Sequence, residues 1–375
     1  MIFDIEELVI LCSKVYISKS EYWKSNVNLK ELLLLKKLFY TYSDDSLSLI
    51  DIKESDVIDM SAWCISKIPD CVRQIKHPET IVMHKNRLNT LPDFIYDFKT
   101  VVLLDLTKNR LKKLSENICN MISLKFLYIG HNLLESIPES LTKLHLSILC
   151  LNNNRLKSIS DTIGDMKTLT MFKLEHNKLK KIPDTITTLY KLENLDFSHN
   201  SIKKIPKRIG DLKMLKNLVV DNNCIRIIPV SILRCKRLTY LDIDNNNISR
   251  LPKNIGKLKS LLRLNIRNNR ITKLPLSFRN LSNLIVLALK GNKIVTLPLC
   301  IQELLSLNAI DIRNCGLKEV PSFLSDMVDL ELYHVLISGN EFSLSRKNRF
   351  RLLDIPHVDI FSSCTCGLSS ESESE

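Results

Sequence analysis

Asparagine returns at a fixed interval along this chain, and the interval restricts the available folds more than any other feature of the sequence. The markers are Asn86, Asn109, Asn132, Asn154, Asn177, Asn200, Asn223, Asn246, Asn269 and Asn292. Every step is 23 residues except one of 22 into Asn154. Another 23 residues back lies Trp63; 23 forward lies Cys315, and a longer step of 25 reaches Asn340. Ten of the twelve prolines stand six residues after a marker, and Ser115 and Ser160 take that place in two copies. So many residues in one register describe a repeated supersecondary unit, stacked many times.

The repeating frame has a direct physical meaning. One copy carries Leu192, Leu195, Phe197, Asn200, Ile202, Ile205 and Pro206; another carries Leu238, Leu241, Ile243, Asn246, Ile248, Leu251 and Pro252. Leu195 and Phe197 alternate with Asn194, Asp196 and Ser198. Period two predicts a short strand with one face inward. Each strand is expected to lie about 4.8 Å from its copy in the next repeat, building a parallel sheet. After the turn, Ile202 and Ile205 continue the core, and proline fixes φ where no ladder donor is needed. Apolar residues such as Ile209 and Leu212 then return along the outer side. An asparagine side chain both donates and accepts, so a stack of them can satisfy buried backbone groups of its own turn and of the neighbouring coil.

Composition fits that picture. The chain is 45% apolar, enough for a core and too much for wholesale disorder. Aromatics reach only 6%, which suits a repeated small apolar unit better than one globular core. Eleven cysteines are scattered and odd in number, mostly inside apolar segments. They read as small buried hydrophobes in a reducing compartment. The start, Met1 to Glu7, has no basic leader and no cleavage site, and no apolar run approaches the ~20 residues that span a bilayer. The expected location is the cytoplasm, with the nucleus open.

The frame Leu-x-x-Leu-x-Leu-x-x-Asn-x-Leu/Ile-x-x-Leu/Ile-Pro resembles the leucine-rich-repeat family. Its 23-residue length and Leu/Ile-Pro step resemble the intracellular subclass that includes Ras-pathway scaffold proteins and plant intracellular Ras-group proteins. The likeness covers residues 56–342, about three quarters of the chain, as about 13 repeats. It implies an α/β solenoid, a curved horseshoe with a parallel β-sheet on its concave face. It also implies protein binding through that face. The cysteine-rich end caps of secreted members are missing, in keeping with an intracellular reading.

Residues 1–55 are expected to form a helical N-terminal cap, because a solenoid end would otherwise expose its core. Two apolar stretches, Phe3 to Ile17 and Leu29 to Tyr42, suit helices. Leu8 and Cys12 also have the Leu-x-x-x-Cys spacing of the box by which ubiquitin-ligase adaptors dock elongin, although Glu7 and Tyr16 depart from it. Residues 343–375 are expected to hold a C-terminal cap and a disordered tail, since Ser369 to Glu375 is an acidic Ser/Glu run. Cys364 and Cys366 lack a second ligand pair for a metal and read as free thiols.

In this frame the residues between and beside the core positions of each strand point outward. The expected partner-binding residues are Phe126, Tyr128 and Met171; then Glu175, Asp196, Asp221, Tyr240, Asp242 and Asp244; then Arg263, Arg267, Lys290 and Arg313. The face is thus expected to run from apolar and aromatic, through acidic, to basic. That mixture suits a protein partner better than a small molecule. The acidic block stands out in a chain whose formal net charge is +13. Much of the positive charge follows the asparagines, as in Lys112, Lys113, Lys180, Lys181, Lys203, Lys204, Arg226, Arg250 and Lys273. It would line one flank as a basic ridge.

Three readings of function follow. The favoured one is a scaffold or regulator binding a signalling protein, with a small GTPase or phosphatase as candidate partner. A second is the substrate-recognition adaptor of a cullin-type ubiquitin ligase. A third is a binder of anionic surfaces, nucleic acid or membrane, through the ridge. No aromatics interleave the ridge as single-strand binding requires, which argues against nucleic acid. Catalysis is not expected. Eight glycines form no phosphate loop, and there is no Gly-x-Ser-x-Gly elbow and no pair of Cys-x-x-Cys motifs. His131, His176 and His199 precede the asparagine in their repeats and read as turn residues, though two in adjacent coils could share a metal. Neither cofactor nor metal is expected.

Overall fold

The computed structural model describes residues 56–328, 332–342 and 358–359. The chain divides into two compact units, Met1–Ile148 and Leu149–Glu375. The expected helical cap, with its Leu8–Cys12 box, and the Ser/Glu tail lie outside the described residues.

Unit 1 contains β1 (Val57–Asp59), β2 (Thr80–Val82), β3 (Leu103–Asp105) and β4 (Phe126–Tyr128), each paired in parallel with the next. The strand β5 (Ile148–Cys150) straddles the boundary. Unit 2 contains β6 (Met171–Lys173), β7 (Asn194–Asp196), β8 (Asn217–Val219), β9 (Tyr240–Asp242), β10 (Arg263–Asn265), β11 (Val286–Ala288), β12 (Ala309–Asp311), β13 (His334–Leu336) and β14 (Val358–Asp359). From β6 onward these also pair in parallel, in sequence order. Register follows the repeat, with Leu195 opposite Leu218 and Leu218 opposite Leu241. Each core position therefore stacks on its own copy. The central residue of each three-residue strand is buried; its neighbours are more open in strands such as those of Leu127, Leu195 and Leu264, while Cys150, Asp242, Ala288 and Asp311 are buried as well.

The return segments are single 3-10 turns. Pro92, Pro138 and Pro229 have extended ψ, and the carbonyl of each accepts from the third residue of the turn that follows, Ile95, Leu141 and Ile232. Their i→i+3 bonding keeps such turns short. Where serine replaces proline, its hydroxyl does capping work. Ser115 Oγ accepts from the Asn117 N–H at 3.2 Å, and Ser160 Oγ from that of Thr162 at 3.4 Å. Among the described residues one α-helix is found, α1 (Phe323–Val328).

The one 22-residue step has a local cause. After the turn Glu139–Lys143, Leu144 is extended at ψ 150°, where Met121, Met166 and Leu189 sit at 64°, 61° and 70°. The missing residue is absorbed by straightening the chain into β5, where the two units part.

Adjacent turns pack closely in unit 2. A Cβ on Gly210 would lie 1.8 Å from the Ser231 carbonyl oxygen, and one on Gly256 1.9 Å from that of Ser277. Since both obstacles are backbone, Gly210→Ala is expected to lower stability by about 1–3 kcal/mol through overpacking. An unchanged denaturant midpoint for that variant would refute the close contact.

The turn asparagines bond in two directions. Their Nδ2 groups donate to carbonyls of the preceding coil at 2.8–3.0 Å, from Asn86 to Met60 through Asn292 to Ile266. They also donate to their own turns, as Asn223 does to Val220 and Asp221. The Oδ1 atoms accept backbone N–H groups of the preceding coil at 2.8–3.1 Å, from Ile65 through Ile271. Asn154 donates to its own turn, at Leu151 and Asn152. At Cys315 the thiol takes over the donor role, reaching the Leu289 carbonyl at 3.4 Å. Around half-buried Trp63, Ala62 and Cys64 both adopt positive φ.

The residue before each marker is left-handed: Lys85, Lys108, His131, Asn153, His176, His199, Asn222, Asn245, Asn268 and Gly291 all have φ between 45° and 71°. Asparagine and glycine tolerate this conformation best, which accounts for the Asn-Asn doublets.

Candidate functional site

Residues one before and one after the buried centre of a strand share its exposed side. The repeat register lines them up in columns. In unit 1 the columns bring together Leu103 with Phe126 and Asp105 with Tyr128. All four are half-buried. Asp105 is tied down on this face. It accepts from the Thr107 N–H at 2.8 Å, and His84 Nδ1 lies 3.5 Å from its other oxygen.

In unit 2 the same columns gather the acidic residues. Asp196 on β7 and Asp242 on β9 occupy equivalent strand ends, with Val219 between them. Glu175, Asp221 and Asp244 follow two residues after the ends of β6, β8 and β9. Asp196 Oδ1 accepts from the Ser198 N–H and hydroxyl at 2.9 and 2.8 Å. Asp244 accepts from Asn268 Nδ2 at 3.0 Å. Asp242 is the most enclosed, buried beneath Tyr240, whose hydroxyl donates to it at 2.6 Å. Asn265 Nδ2 and the Asp244 N–H complete its shell. Burial, reinforced by the hydrogen bond to Asp242, pushes the Tyr240 phenol well above its usual range. Tyr240 therefore meets this face as a fixed ring whose hydroxyl is engaged.

Two of these carboxyls are pushed upward. Burial raises the Glu175 carboxyl first, and the charge of Asp196 adds to it; Glu175 Oε2 is buried without a hydrogen-bond partner. Burial also raises Asp221, helped by Asp242 and Asp196 against the lowering bond from Asn222. A carboxyl raised in the folded state binds protons that the unfolded state has already released. Stability then falls as pH rises through the interval between the unfolded and folded values. Glu175→Gln is accordingly expected to raise the unfolding temperature at neutral pH and to flatten its rise toward acid. A lower unfolding temperature for this variant would contradict the assignment.

The C-terminal columns carry the expected basic residues, but their charges are partly matched. Arg313 grips Asp311 with two bonds, Nε to Oδ1 at 2.8 Å and Nη2 to Oδ2 at 2.9 Å. Arg267 Nη2 reaches the same Oδ2 at 3.1 Å. Asp311 was absent from the expected binding set, yet it neutralises two of that set. Arg263 is exposed and Lys290 half-buried, and neither has an ion pair among the described residues. Met171 stands beside Asn194 at the start of the acidic columns.

His176 and His199 stack with ring centroids 4.0 Å apart and planes 13° apart. Imidazole lone pairs lie in the ring plane, so parallel stacked rings aim them side by side and not at one ion. His199 Nε2 lies 3.2 Å from Asn222 Nδ2 and 3.7 Å from Asp221. Among the described residues no group of three or more His, Cys, Asp or Glu side chains is arranged to hold a metal.

Short parallel strands, single 3-10 returns and asparagine-bonded turns at 23-residue steps define a stacked-repeat protein of the solenoid class. The chain belongs to the leucine-rich-repeat proteins. A leucine-rich repeat region model matches residues 230–339, and a leucine rich repeat model matches residues 144–202 and 168–225. A leucine-rich-repeat protein of Leptospira interrogans is 29% identical with a TM-score of 0.74, covering 79% of this chain and 75% of its own. An internalin of Listeria monocytogenes is 20% identical with a TM-score of 0.75, covering 88% and 94%, a likeness of fold alone. A plant peptide hormone receptor, RGFR1 in complex with RGF2, is 26% identical with a TM-score of 0.66. That match covers 78% of this chain and 49% of the receptor, so the chain spans about half the receptor's length. No match is found among curated protein sequences. No helix among the described residues is long and apolar enough to cross a membrane.

Proposed function

We propose that this chain is a non-catalytic protein-interaction scaffold whose strand face in unit 2 binds a basic segment of a protein partner. The observation that carries this reading is the gathering of Glu175, Asp196, Asp221, Asp242 and Asp244 on one side of β6 to β9, in a chain of net charge +13. An acidic face on a basic protein favours a partner of complementary sign and speeds its approach. Tyr240 adds a ring held in place, and fixed aromatic side chains are frequent interface anchors. Met171 extends the face toward an apolar contact. Arg263 and Lys290 give the far end the opposite charge, which sets the direction in which a partner lies. The plant receptor in complex with RGF2 supports a binding role for a repeat array of this kind.

Among the described residues no disulfide joins any of the eight cysteines, and five of them are buried. With the 23-residue frame, this supports assignment to the intracellular subclass and a signalling partner such as a small GTPase or phosphatase.

The test is affinity capture with the full chain against a variant carrying Asp196→Ser, Asp221→Ser and Asp244→Ser. Asp242 is left in place because it is buried and holds Tyr240 and Asn265. A basic partner captured by the wild type is expected to fall on the order of tenfold or more with the variant, and to weaken with salt. An unchanged set of captured proteins would refute this face. A set dominated by elongin would favour the ubiquitin-ligase adaptor reading instead.

A further inference from the structure

The flank of unit 2 formed by the segments just after Asn223, Asn246, Asn269 and Asn292 combines cations with protruding apolar side chains and holds no carboxylate. Residues 224–231, 247–254, 270–277 and 293–300 contain Arg226, Arg250, Lys253, Arg270, Lys273 and Lys293, and no Asp or Glu. The equivalent segments of five earlier repeats place a carboxylate at the start of the 3-10 turn, Asp93, Glu116, Glu139, Asp161 and Asp184, and the repeat after Asn200 already replaces it with Lys207. That position suits an acid, because it faces the positive end of the turn's backbone dipoles. In the later repeats it is given to Val230, Lys253, Leu276 and Leu299.

The replacements protrude. Ile227, Val230, Leu276 and Leu299 are 66–74% exposed, and Val295 is 50% exposed. The four segments are locked side by side by backbone bonds. Asn247 N–H donates to Ile225, Arg270 to Ile248 and Lys293 to Ile271, at 2.8–2.9 Å. One row across the coils therefore reads Ile227, Arg250, Lys273, and the next reads Val230, Lys253, Leu276, Leu299. None of the six cations has an ion pair among the described residues. The acids of the neighbouring 3-10 returns are engaged elsewhere, Asp211 with Arg208 and Arg234, and Glu303 with Arg279.

We infer that this flank docks the protein on the surface of an anionic lipid bilayer. Apolar side chains standing singly between cations, all from one rigid row, match what a bilayer interface offers. The apolar tips enter the headgroup region while the cations meet acidic headgroups at the same level. A protein partner would call for aromatic anchors and a pocket-like core to the contact. These rows contain no aromatic residue and alternate the two chemistries along their length. The strand face and its acids take no part, so this inference stands or falls separately from the partner-binding reading.

The experiment is sedimentation of the full chain with vesicles of phosphatidylcholine, alone or mixed with phosphatidylserine. Binding to the mixed vesicles, weakened by salt, is expected, with little binding to the neutral ones. A cation at an anionic surface contributes about fivefold in affinity, so Arg250→Glu, Lys253→Glu and Lys273→Glu together should reduce partition on the order of a hundredfold or more. Val230→Asp, Leu276→Asp and Leu299→Asp together should reduce it on the order of tenfold or more. Leu276→Ser alone gives a milder version of the same loss if the triple variant proves unstable by thermal unfolding. Lys112→Glu with Lys113→Glu, on the ridge of unit 1, should change partition by less than about threefold. Absence of binding at low salt overturns the inference. So does equal loss in the unit 1 variant, which would mean that overall charge suffices. Wild-type partition by the apolar variants, with loss only on charge reversal, overturns it as well and points to an acidic protein or nucleic acid.

Discussion

Asn223→Ala is expected to destabilise unit 2 by about 1–3 kcal/mol. The figure follows from which groups lose their partners. The Ile202 N–H donates to Asn223 Oδ1 at 2.8 Å, and the Phe197 carbonyl accepts from Nδ2 at 2.9 Å. Both residues are fully buried, but only the Ile202 N–H has no other bond among the described residues; the Phe197 carbonyl also receives Asn200 Nδ2 at 3.0 Å. The Val220 carbonyl also receives Asn246, and that of Asp221 also receives the His199 N–H, so they keep a partner. One buried group is therefore orphaned, at about 1–3 kcal/mol. In a unit of this size that corresponds to a fall of roughly 5 °C in the unfolding temperature. Asn223→Cys should recover part of the loss, because the Cys315 thiol already serves the equivalent carbonyl in this chain. A thiol gives the N–H only a weak acceptor, so recovery should be incomplete. An alanine variant that unfolds with the wild type would show that the turn groups find other partners, and the ladder would lose its stabilising role.

The strands, their parallel order and the bonding asparagines were legible because each rests on a short local pattern repeated many times. Period-two alternation around Leu195 and Phe197 admits one face, and the 23-residue step fixes which residues stack. The left-handed position before each marker was harder to read. Asn222, Asn245, Asn268 and Gly291 announce it, but Lys85, Lys108, His131, His176 and His199 occupy it without a distinctive signal. The histidines consequently suggested a shared metal, whereas the backbone sets them where their rings stack. Proline at the head of each return marks where the chain leaves the turn. It does not say that the return is one 3-10 turn, because the apolar spacing of Ile209 and Leu212 fits a short helix equally well.

On the strand face, membership was legible and state was not. Asp196, Asp242 and Asp311 hold the same place in their strands, and the sequence treats them alike. Their surroundings separate them. Asp196 is half-buried with its carboxylate bonded to Ser198 of its own turn, Asp242 lies beneath Tyr240, and Asp311 is gripped by two arginines. These differences come from long side chains reaching across columns, which no local pattern encodes. One clue was present: Ala288 leaves a gap in its column on β11. Arg267, two residues past β10, crosses that gap to reach Asp311 on β12.

Asp311→Ala is the second large effect expected, at about 2–4 kcal/mol. Asp311 is 4% exposed and balances both Arg313 and Arg267. Removing one member of a buried charged group leaves the others without compensation, which costs about 3–5 kcal/mol when all are buried. The arginine side chains are 23% and 36% exposed, so water recovers part of that cost and the lower range applies. Asp311→Asn keeps the shape and one acceptor but loses the charge, and should fall between the alanine variant and the wild type. A double-mutant cycle with Arg313→Ala separates the pair from its surroundings, and a coupling of about 1–3 kcal/mol is expected for two bonds in a forked geometry. If Asp311→Ala unfolds within about 0.5 kcal/mol of the wild type, as an ordinary surface change would, the arginines are adequately solvated without it. Their charge would then be presented on this face without need of Asp311. The C-terminal columns would carry the full positive charge that the sequence suggests, and a partner lying along β6 to β12 would meet a sharper change of sign.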